Sequence, residues 1–243
     1  LPGYPEPPKA TDEELLTVLE LLSEAKKPVL YTGGGILSGD AHVEMRKFAE
    51  LTGIPVASTL MGLGAFDPDS PQSLYWFGMH GTVVGNWAVC DSDLLICAGA
   101  RFDDRITGRL DGFSPNSTKI HIDIDPSSIA KTVQVDVPIV GPVKSVLKEL
   151  NGMLAASNRK VDEQALKSWW AQVDEWRSID CLQYAKSDTL IKPQYVLQKL
   201  HEVTDGDAYI ATLTLSGDEP GGILPFAIDF QDRASNQGAQ VVG

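Results

Sequence analysis

The chain has 243 residues, of which 43% are hydrophobic and 22% charged, and its formal net charge at pH 7 is −13. This composition is typical of a globular protein with one large domain, or with a domain of about 150 residues plus a remainder. The acidic balance argues against a nucleic-acid partner, because phosphate contacts need a broad basic surface. No apolar run approaches the roughly 18 residues of a membrane span, so we expect no membrane partner. Three cysteines without C-x-x-C spacing predict neither a disulfide nor a zinc site.

The first part of the chain alternates between helical and strand-like patterns. The proline-rich start, "LPGYPEPPKA", is typical of a linker and lacks the basic and apolar regions of a signal peptide. Thr11 or Asp12 is expected to cap a helix with a leucine-rich stripe. The pattern then predicts a strand at 27–32, a helix at 40–51 and a strand at 54–59.

The same alternation continues to about residue 155. It predicts a helix at 82–90, strands at 93–100 and 119–125, and a further strand in "VDVPIVG" before another helix. Nearly continuous apolar strands joined by crossover segments indicate a parallel sheet covered on both faces. We therefore predict a doubly wound, Rossmann-like α/β domain over residues 1–157.

The pattern changes after Ser157. Residues 158–190 are expected to form a helical linker, in which Trp169, Trp170 and Trp176 are packing anchors. Residues 191–243 begin like another α/β unit, with "KPQYVLQKLHEVT" as a helix and "DAYIAT" as a strand, but do not complete it. The final 30 residues have no sustained period and are expected to be irregular.

Five loops with small or polar residues follow strand-like segments. They are "GGG" at 33–35, "STLMGLG" at 58–64, "GMHG" at 78–81, "GARFDDR" at 99–105 and "DIDP" at 123–126. In an open parallel sheet such loops gather at the carboxyl edge, where ligands bind. Glycines there allow backbone N–H groups to approach a diphosphate, although three glycines alone are equally typical of an ordinary turn.

Arginines follow the strand that ends near Gly99. Because a guanidinium binds phosphate through two parallel hydrogen bonds, Arg101 and Arg105 are candidate clamps for a diphosphate. The alternative is a set of surface ion pairs with Asp103 and Asp104, which would contribute little to stability.

Two further side chains have open roles. Asp123 is placed like the acidic residue that binds ribose hydroxyls in dinucleotide folds, or it caps the turn before Pro126. His80 lies between glycines and is able to reach a ligand, although a lone histidine is more often structural. The sequence has no metal-ligand spacing, nucleophile elbow or Walker loop, so it favours ligand binding over catalysis.

The stretches "KPVLYTGGG", "ELTGIPVASTLMGLG", "GMHGTVVGNWAV", "SDLLICAGARFDDRITG" and "KIHIDID" resemble the catalytic subunit of acetohydroxyacid synthase, also called acetolactate synthase. The resemblance runs from about Leu1 to Ala211. It implies a central domain that holds FAD as a structural cofactor between two thiamine-diphosphate-binding domains. The enzyme joins pyruvate to a second 2-keto acid in branched-chain amino-acid biosynthesis.

The resemblance also implies which residues line the FAD. Carried over by motif, they are Gly34, Thr59, Leu60, Gly78, Met79, His80, Gly99, Arg101, Asp103, Asp104, Arg105, Asp123 and Ile124. Arg101 is the stronger candidate for the cofactor, and Arg105 and Met79 are also expected to face the substrate channel.

Two segments depart from the family's pattern. Gly141, Pro142 and Val143 stand where the family usually has Gly-Asp-Val, so a carboxylate contact to the cofactor is missing. "LTLSGDEPGG" stands where a thiamine-diphosphate-binding stretch is expected. The activating glutamate and the Gly-Asp-Gly and Asn metal motif of the family's flanking domains are also absent. The resemblance implies thiamine diphosphate and magnesium in the parent enzyme. Because the motifs named above are absent here, no catalysis is expected from this chain alone.

The resemblance further implies a homo-oligomeric parent with a regulatory subunit. Its expected location is the cytoplasm or, in a eukaryote, an organellar stroma or matrix. The alternative is a free-standing FAD- or NAD-binding module without catalytic activity, because related folds serve both purposes.

Overall fold

The computed structural model describes residues 7–157 and 161–204, together with the backbone of 210–215, 226–231 and 241–242. Its internal contacts divide the chain into two compact units, Leu1–Cys181 and Leu182–Gly243. Residues 1–6 of the proline-rich start, residues 158–160 of the predicted helical linker, residues 207–209 of the predicted strand "DAYIAT" and tail residues 216–225, 232–240 and 243 lie outside the described residues.

The first unit is built on a six-stranded sheet. Its strands are β1 Pro28–Thr32, β2 Val56–Ser58, β3 Ser73–Trp76, β4 Leu94–Ala98, β5 Thr118–Asp123 and β6 Val137–Val140. They lie in the order β3-β2-β1-β4-β5-β6, and every neighbouring pair is parallel. The strand order reverses between β1 and β4, which pair from Pro28 with Leu94 to Thr32 with Ala98.

Helices join these strands and cover both faces of the sheet. They are α1 Asp12–Glu24, α2 Gly34–Ser38, α3 His42–Thr52, α4 Val83–Asp91, α5 Asp104–Thr107, α6 Val143–Ala156 and α7 Glu163–Arg177, with short 3-10 helices at Leu60–Gly62 and Leu110–Gly112. Thr11 caps α1 in a capping box with Glu14, which satisfies two backbone donors at the start of the helix. The prediction of a doubly wound α/β fold is confirmed.

Alternate residues of the strands feed two separate cores. Leu30 and Ile96 point to the core covered by α1, α3 and α6, while Tyr31 and Cys97 point to the core covered by α4 and α7. Successive side chains of a strand face opposite sides of the sheet, so a sheet covered on both faces needs apolar residues at nearly every position. This explains the continuous apolar strands of the sequence.

Helix α7 lies within the stretch predicted as a linker and packs in the first unit. Trp169 is fully buried, and its indole N–H donates to the Pro28 carbonyl at 3.2 Å. The indole of Trp170 donates to the Gly53 carbonyl at 2.9 Å, and Trp176 contacts the Trp169 ring edge-on at 5.6 Å. The prediction that these tryptophans are packing anchors is therefore confirmed.

The second unit contains helix α8, Pro193–Thr204, and strands β7 Ile210–Leu215, β8 Phe226–Gln231 and β9 Val241–Val242. The three strands form an antiparallel sheet in the order β7-β8-β9. The tail was predicted to be irregular, and the two strands β8 and β9 differ from that prediction. Strands can pair in this tail because antiparallel neighbours are joined by a hairpin and need no crossover helix.

The cysteines of the described residues are all unpaired: Cys97 is buried, whereas Cys90 and Cys181 are exposed. No helix in the described part of the chain combines the length and the apolar character needed to cross a membrane. The same residues contain no group of three or more His, Cys, Asp or Glu side chains placed to hold a metal ion.

Candidate functional site

A cavity of about 460 Å³ opens at the carboxyl edge of the parallel sheet. Its walls come from the loops after β1, β2, β4 and β5, on both sides of the point where the strand order reverses. Ligands of doubly wound folds bind at this point, because the loops after β1 and β4 diverge and leave a crevice. The size is within the 300–1,000 Å³ typical of small-molecule sites.

The glycine turn after β1 forms one wall of this cavity. The N–H of Gly33 donates to the Ala98 carbonyl at 3.1 Å, and that of Gly35 donates to the Gly99 carbonyl at 2.8 Å. Among the described residues, no acceptor receives the N–H of Gly34. Only the middle glycine of the three is therefore a candidate backbone donor to a ligand. The sequence had suggested that all three glycines could bring backbone N–H groups to a diphosphate.

The outer glycines instead allow two loops to approach closely. A Cβ on Gly33 would lie 2.3 Å from the Ala100 Cβ, and one on Gly35 would lie 2.7 Å from the Gly99 Cα. Gly99 itself has φ +60°, a left-handed conformation that favours glycine. The glycines at 33, 35 and 99 thus fix the distance between the two loops that flank the crevice.

Arg101 lines the cavity and also makes the ion pair that the sequence left as an alternative. Its Nη2 lies 3.3 Å from Asp103 Oδ2; the Arg101 side chain is largely solvent-exposed, whereas that of Asp103 is partly buried. Asp103 accepts a hydrogen bond from the backbone N–H of Arg105 and caps α5. Because a guanidinium has five N–H donors, Arg101 keeps donors for a ligand while it contacts Asp103.

The pKa of Asp103 is held below its usual range. The hydrogen bond with Asp104 is the largest cause, followed by the backbone N–H of Arg105 and the positive charges of Arg101 and Arg105. Asp103 is therefore ionised at neutral pH and offsets part of the positive charge at the cavity wall.

Arg105 lines the same cavity and reaches a second one. This second cavity, of about 330 Å³, is also lined by Gly78, Met79 and Asp104. The Arg105 Nη1 lies 4.0 Å from the Met79 Sδ, and the Met79 N–H donates to the Arg105 carbonyl at 2.8 Å. The "GMHG" loop is thereby attached to α5.

Asp123 ends β5 and lines the same cavity as Arg101. Its Oδ1 accepts the Asp125 N–H at 2.9 Å, so it does cap the following turn. Its Oδ2 receives no hydrogen bond from the described residues. In dinucleotide folds the ribose-binding acid follows β2, so Asp123 reaches the crevice from a different strand than that comparison assumed.

The structure brings eight of the thirteen expected residues to one cavity. They are Gly34, Thr59, Leu60, Gly99, Arg101, Asp103, Arg105 and Asp123. Gly78, Met79 and Asp104 line the neighbouring cavity, while His80 and Ile124 are exposed and line neither. Arg109, a third arginine that follows Arg101 and Arg105 in the chain, is 84% exposed in its side chain and pairs with Asp111.

Sequence reasoning missed several lining residues. These are Met61, Ala100, Ile106 and Ser128. Met61 lies in the 3-10 helix and Ile106 lies in α5, two short elements with no periodic pattern in the sequence. The one signal in the sequence was that Met61 and Ile106 directly follow Leu60 and Arg105, which were expected to line the site.

The family profile described as "Thiamine pyrophosphate enzyme, central domain" matches residues 15–150, which contain all six strands of the parallel sheet. The chain belongs to this family. Among curated proteins it is similar to the acetolactate synthase large subunit of Buchnera aphidicola subsp. Schizaphis graminum, with 44% identity over 84% of the chain and 35% of the relative.

Other relatives give the same result for this thiamine pyrophosphate enzyme central domain. The acetolactate synthase of Mycobacterium leprae is 46% identical over 87% of the chain and 34% of the relative. The chloroplastic acetolactate synthase 1 of Zea mays is 45% identical over 87% of the chain and 33% of the relative. The chain spans about a third of the length of the curated relatives it matches.

The buried His121 is expected to make the folding stability of this central domain sensitive to acid. His121 has no exposed surface, and burial lowers its pKa below the ordinary value despite the opposing effects of the Ala100 carbonyl and Asp123. Its unfolded pKa is about 6.5. As the pH falls below that value, the unfolded chain takes up a proton that the folded chain resists, so folding stability decreases.

We expect the free energy of unfolding to fall between pH 7 and pH 5, by no more than about 1.4 kcal/mol per pH unit from this group. His121→Gln retains an N–H donor and cannot titrate, so its profile should be flatter. Urea denaturation at pH 5, 6 and 7 measures both. Parallel profiles for the two proteins would mean that His121 does not cause the dependence.

Proposed function

We propose that this chain is the FAD-holding central domain of an acetolactate synthase, whose parent enzyme joins pyruvate to a second 2-keto acid. The observation that carries the proposal is the cavity at the β1–β4 reversal, which combines two arginines with an unpaired backbone donor. The similarity to acetolactate synthase large subunits supports the same assignment.

The lining residues fit a dinucleotide by their chemistry. The Arg101 guanidinium and the Gly34 N–H would bind the diphosphate, because both are hydrogen-bond donors that line the same cavity. The Oδ2 of Asp123, which lies 3.9 Å from the His121 Nε2 and receives no hydrogen bond from the described residues, would accept a hydrogen bond from a hydroxyl group. Thr59 and Leu60, at the start of the 3-10 helix, would contact an uncharged part of the cofactor.

We extend the proposal to the neighbouring cavity and the cavity mouth. Gly78, Met79 and Asp104 would contact the flavin end of an extended cofactor, with Arg105 between the two cavities. His80 and Ile124 are exposed, and their contacts would form against the cofactor or other parts of the parent enzyme. Met79 and Arg105 would also face the substrate.

In this assignment FAD has a structural role and supplies no chemical step. Thiamine diphosphate, magnesium and the catalytic groups would belong to other parts of the parent enzyme. The parent is proposed to be a homo-oligomer with a regulatory subunit, as the name "large subunit" indicates for the relatives. Its proposed location is the cytoplasm or, in a eukaryote, an organelle.

Arg101→Ala tests the proposal. A charge-assisted hydrogen bond contributes about 1.5–3 kcal/mol, so we expect FAD binding to weaken roughly tenfold to a hundredfold. Arg101→Lys should recover part of the loss, because it keeps the charge but not the planar fork. Quenching of flavin fluorescence at high protein concentration measures the dissociation constants.

Arg109→Ala is the matched control, because it removes an arginine from the same segment that does not line the cavity. It should leave FAD affinity unchanged. If Arg101→Ala and Arg109→Ala bind FAD equally well, Arg101 serves only its ion pair with Asp103. Absence of FAD binding by the unaltered chain would contradict the proposed function itself.

A further inference from the structure

Three buried polar side chains converge beneath the loop that carries Arg101. The hydroxyl of Tyr31 donates to the Arg101 carbonyl at 2.7 Å. The thiol of Cys97 and the Nε2 of His121 both contact the Ala100 carbonyl, at 3.1 Å and 2.8 Å. These side chains come from β1, β4 and β5, which are adjacent in the sheet, and none has exposed surface.

Each of the three groups is a hydrogen donor at neutral pH. Burial raises the pKa of the Tyr31 hydroxyl and of the Cys97 thiol well above their ordinary values, so both keep their protons. Burial lowers the pKa of His121, which therefore stays neutral. Because a carbonyl only accepts, the short contact to Ala100 requires the hydrogen of His121 to be on Nε2.

The hydrogen bonds hold the two consecutive peptide groups that flank the Arg101 Cα. Phe102, the next residue, is also buried and meets the rings of Tyr31 and His121 edge-on at 5.5 Å and 5.1 Å. The Arg101 side chain lies between these anchored neighbours and is 74% exposed. A flexible cationic side chain therefore projects into the cavity from a backbone held on both sides.

Packing alone does not account for these residue types. A buried hydroxyl, thiol or imidazole is tolerated when it is hydrogen-bonded, whereas an apolar residue of similar size fills the same space without that requirement. The remaining ring nitrogen of His121, Nδ1, is buried and receives no hydrogen bond from the described residues. Among the described residues, the imidazole of His121 therefore makes one hydrogen bond, to the loop that carries Arg101.

We propose that Tyr31, Cys97 and His121 are positioning residues, which hold the two peptide groups on either side of the Arg101 Cα in one conformation and so direct the Arg101 guanidinium at a diphosphate in the cavity. The inference rests on the proposed function for its ligand. It adds three residues of the sheet that are not among the thirteen expected to line the FAD.

Tyr31→Phe removes one hydroxyl and keeps the ring packing. We expect FAD binding to weaken by about twofold to tenfold, the effect of one hydrogen bond. If Tyr31 acts through Arg101, the same substitution in an Arg101→Ala background should change the affinity by less than about twofold, because coupled residues are not additive. An equal factor in both backgrounds would overturn the positioning role.

Thr52→Val is the matched control. It removes a buried hydroxyl that donates to the Phe48 carbonyl at 2.8 Å in α3, away from the cavity. It should lower the melting temperature without changing FAD affinity. If Tyr31→Phe does not fold, the pair Cys97→Ala and Cys97→Ser replaces it, since serine keeps a donor and should restore the affinity that alanine loses. Equal affinities in this pair would contradict the proposal.

Amide hydrogen exchange of residues 99–103 in the FAD-free chain separates this inference from the proposed function. Tyr31→Phe should speed this exchange by about twofold to tenfold relative to Thr52→Val, because the loop opens more often. If the unaltered chain binds no FAD, the proposed function fails and the exchange result alone decides whether Tyr31 holds the loop. Equal exchange in both variants would overturn the inference.

Discussion

Replacing Trp169 by alanine is expected to lower the free energy of unfolding of the first unit by about 3–5 kcal/mol. Trp169 is 1% exposed and packs with Val173 in the core between α7 and the sheet. The substitution removes a buried ring and leaves the Pro28 carbonyl without its indole donor. The two destabilising effects add, because water in a closed core neither fills the cavity nor donates to the unsatisfied acceptor. Urea denaturation followed by circular dichroism measures the loss.

Trp87→Ala is the control for this prediction. Trp87 lies on α4, is 47% exposed and meets the Trp176 ring edge-on at 5.8 Å. Its removal should cost about 1 kcal/mol, the size of one aromatic pair. Similar losses for the two variants would show that α7 contributes only a surface contact to the first unit.

Gly33→Ala is expected to destabilise the first unit by about 3 kcal/mol, at the upper end of the usual effect of overpacking. The added Cβ would lie 2.3 Å from the Ala100 Cβ, 2.5 Å from the Gly99 oxygen and 2.6 Å from the Ala100 Cα. These are backbone or backbone-attached atoms, which cannot rotate away. The loops after β1 and β4 must therefore separate. Thermal and urea denaturation measure the result.

Gly152→Ala provides the comparison, because it adds the same methyl group to α6 where no atom lies within 4 Å of the new Cβ. Alanine is the better helix former, so this variant should be as stable as the unaltered chain or more stable by up to about 1 kcal/mol. A small effect of Gly33→Ala as well would mean that the crevice tolerates a wider separation of its loops.

The sheet was predictable because both of its faces are covered. Each of β1 and β4 is buried at all five positions, so their sequences are continuous apolar runs between polar loops. Strand β3 was not predicted, because it has four residues and only Ser73 and Leu74 are buried. The short helices α2 and α5 contain too few residues for a helical period.

The site was predictable only to the level of the sheet edge. Parallel strands bring the loops that follow them to one edge whatever the strand order, so Gly34, Gly78 and Arg101 were expected there together. Strand order decides which loops share a cavity, and no local pattern pairs Tyr31 with Cys97. The donors beneath Arg101 are Tyr31, Cys97 and His121, which lie in apolar strands. In the sequence they cannot be distinguished from ordinary core residues.

The position of α7 has a consequence for the order of events during protein synthesis. Trp169 donates to Pro28, a residue 141 positions earlier, and covers the strand at the centre of the sheet. Until residues 163–177 have left the ribosome, one face of β1 and β4 has no helix α7 against it. A nascent chain that has already emerged through β6 therefore exposes apolar surface of the kind that chaperones bind, and the last helix of the unit ends that exposure.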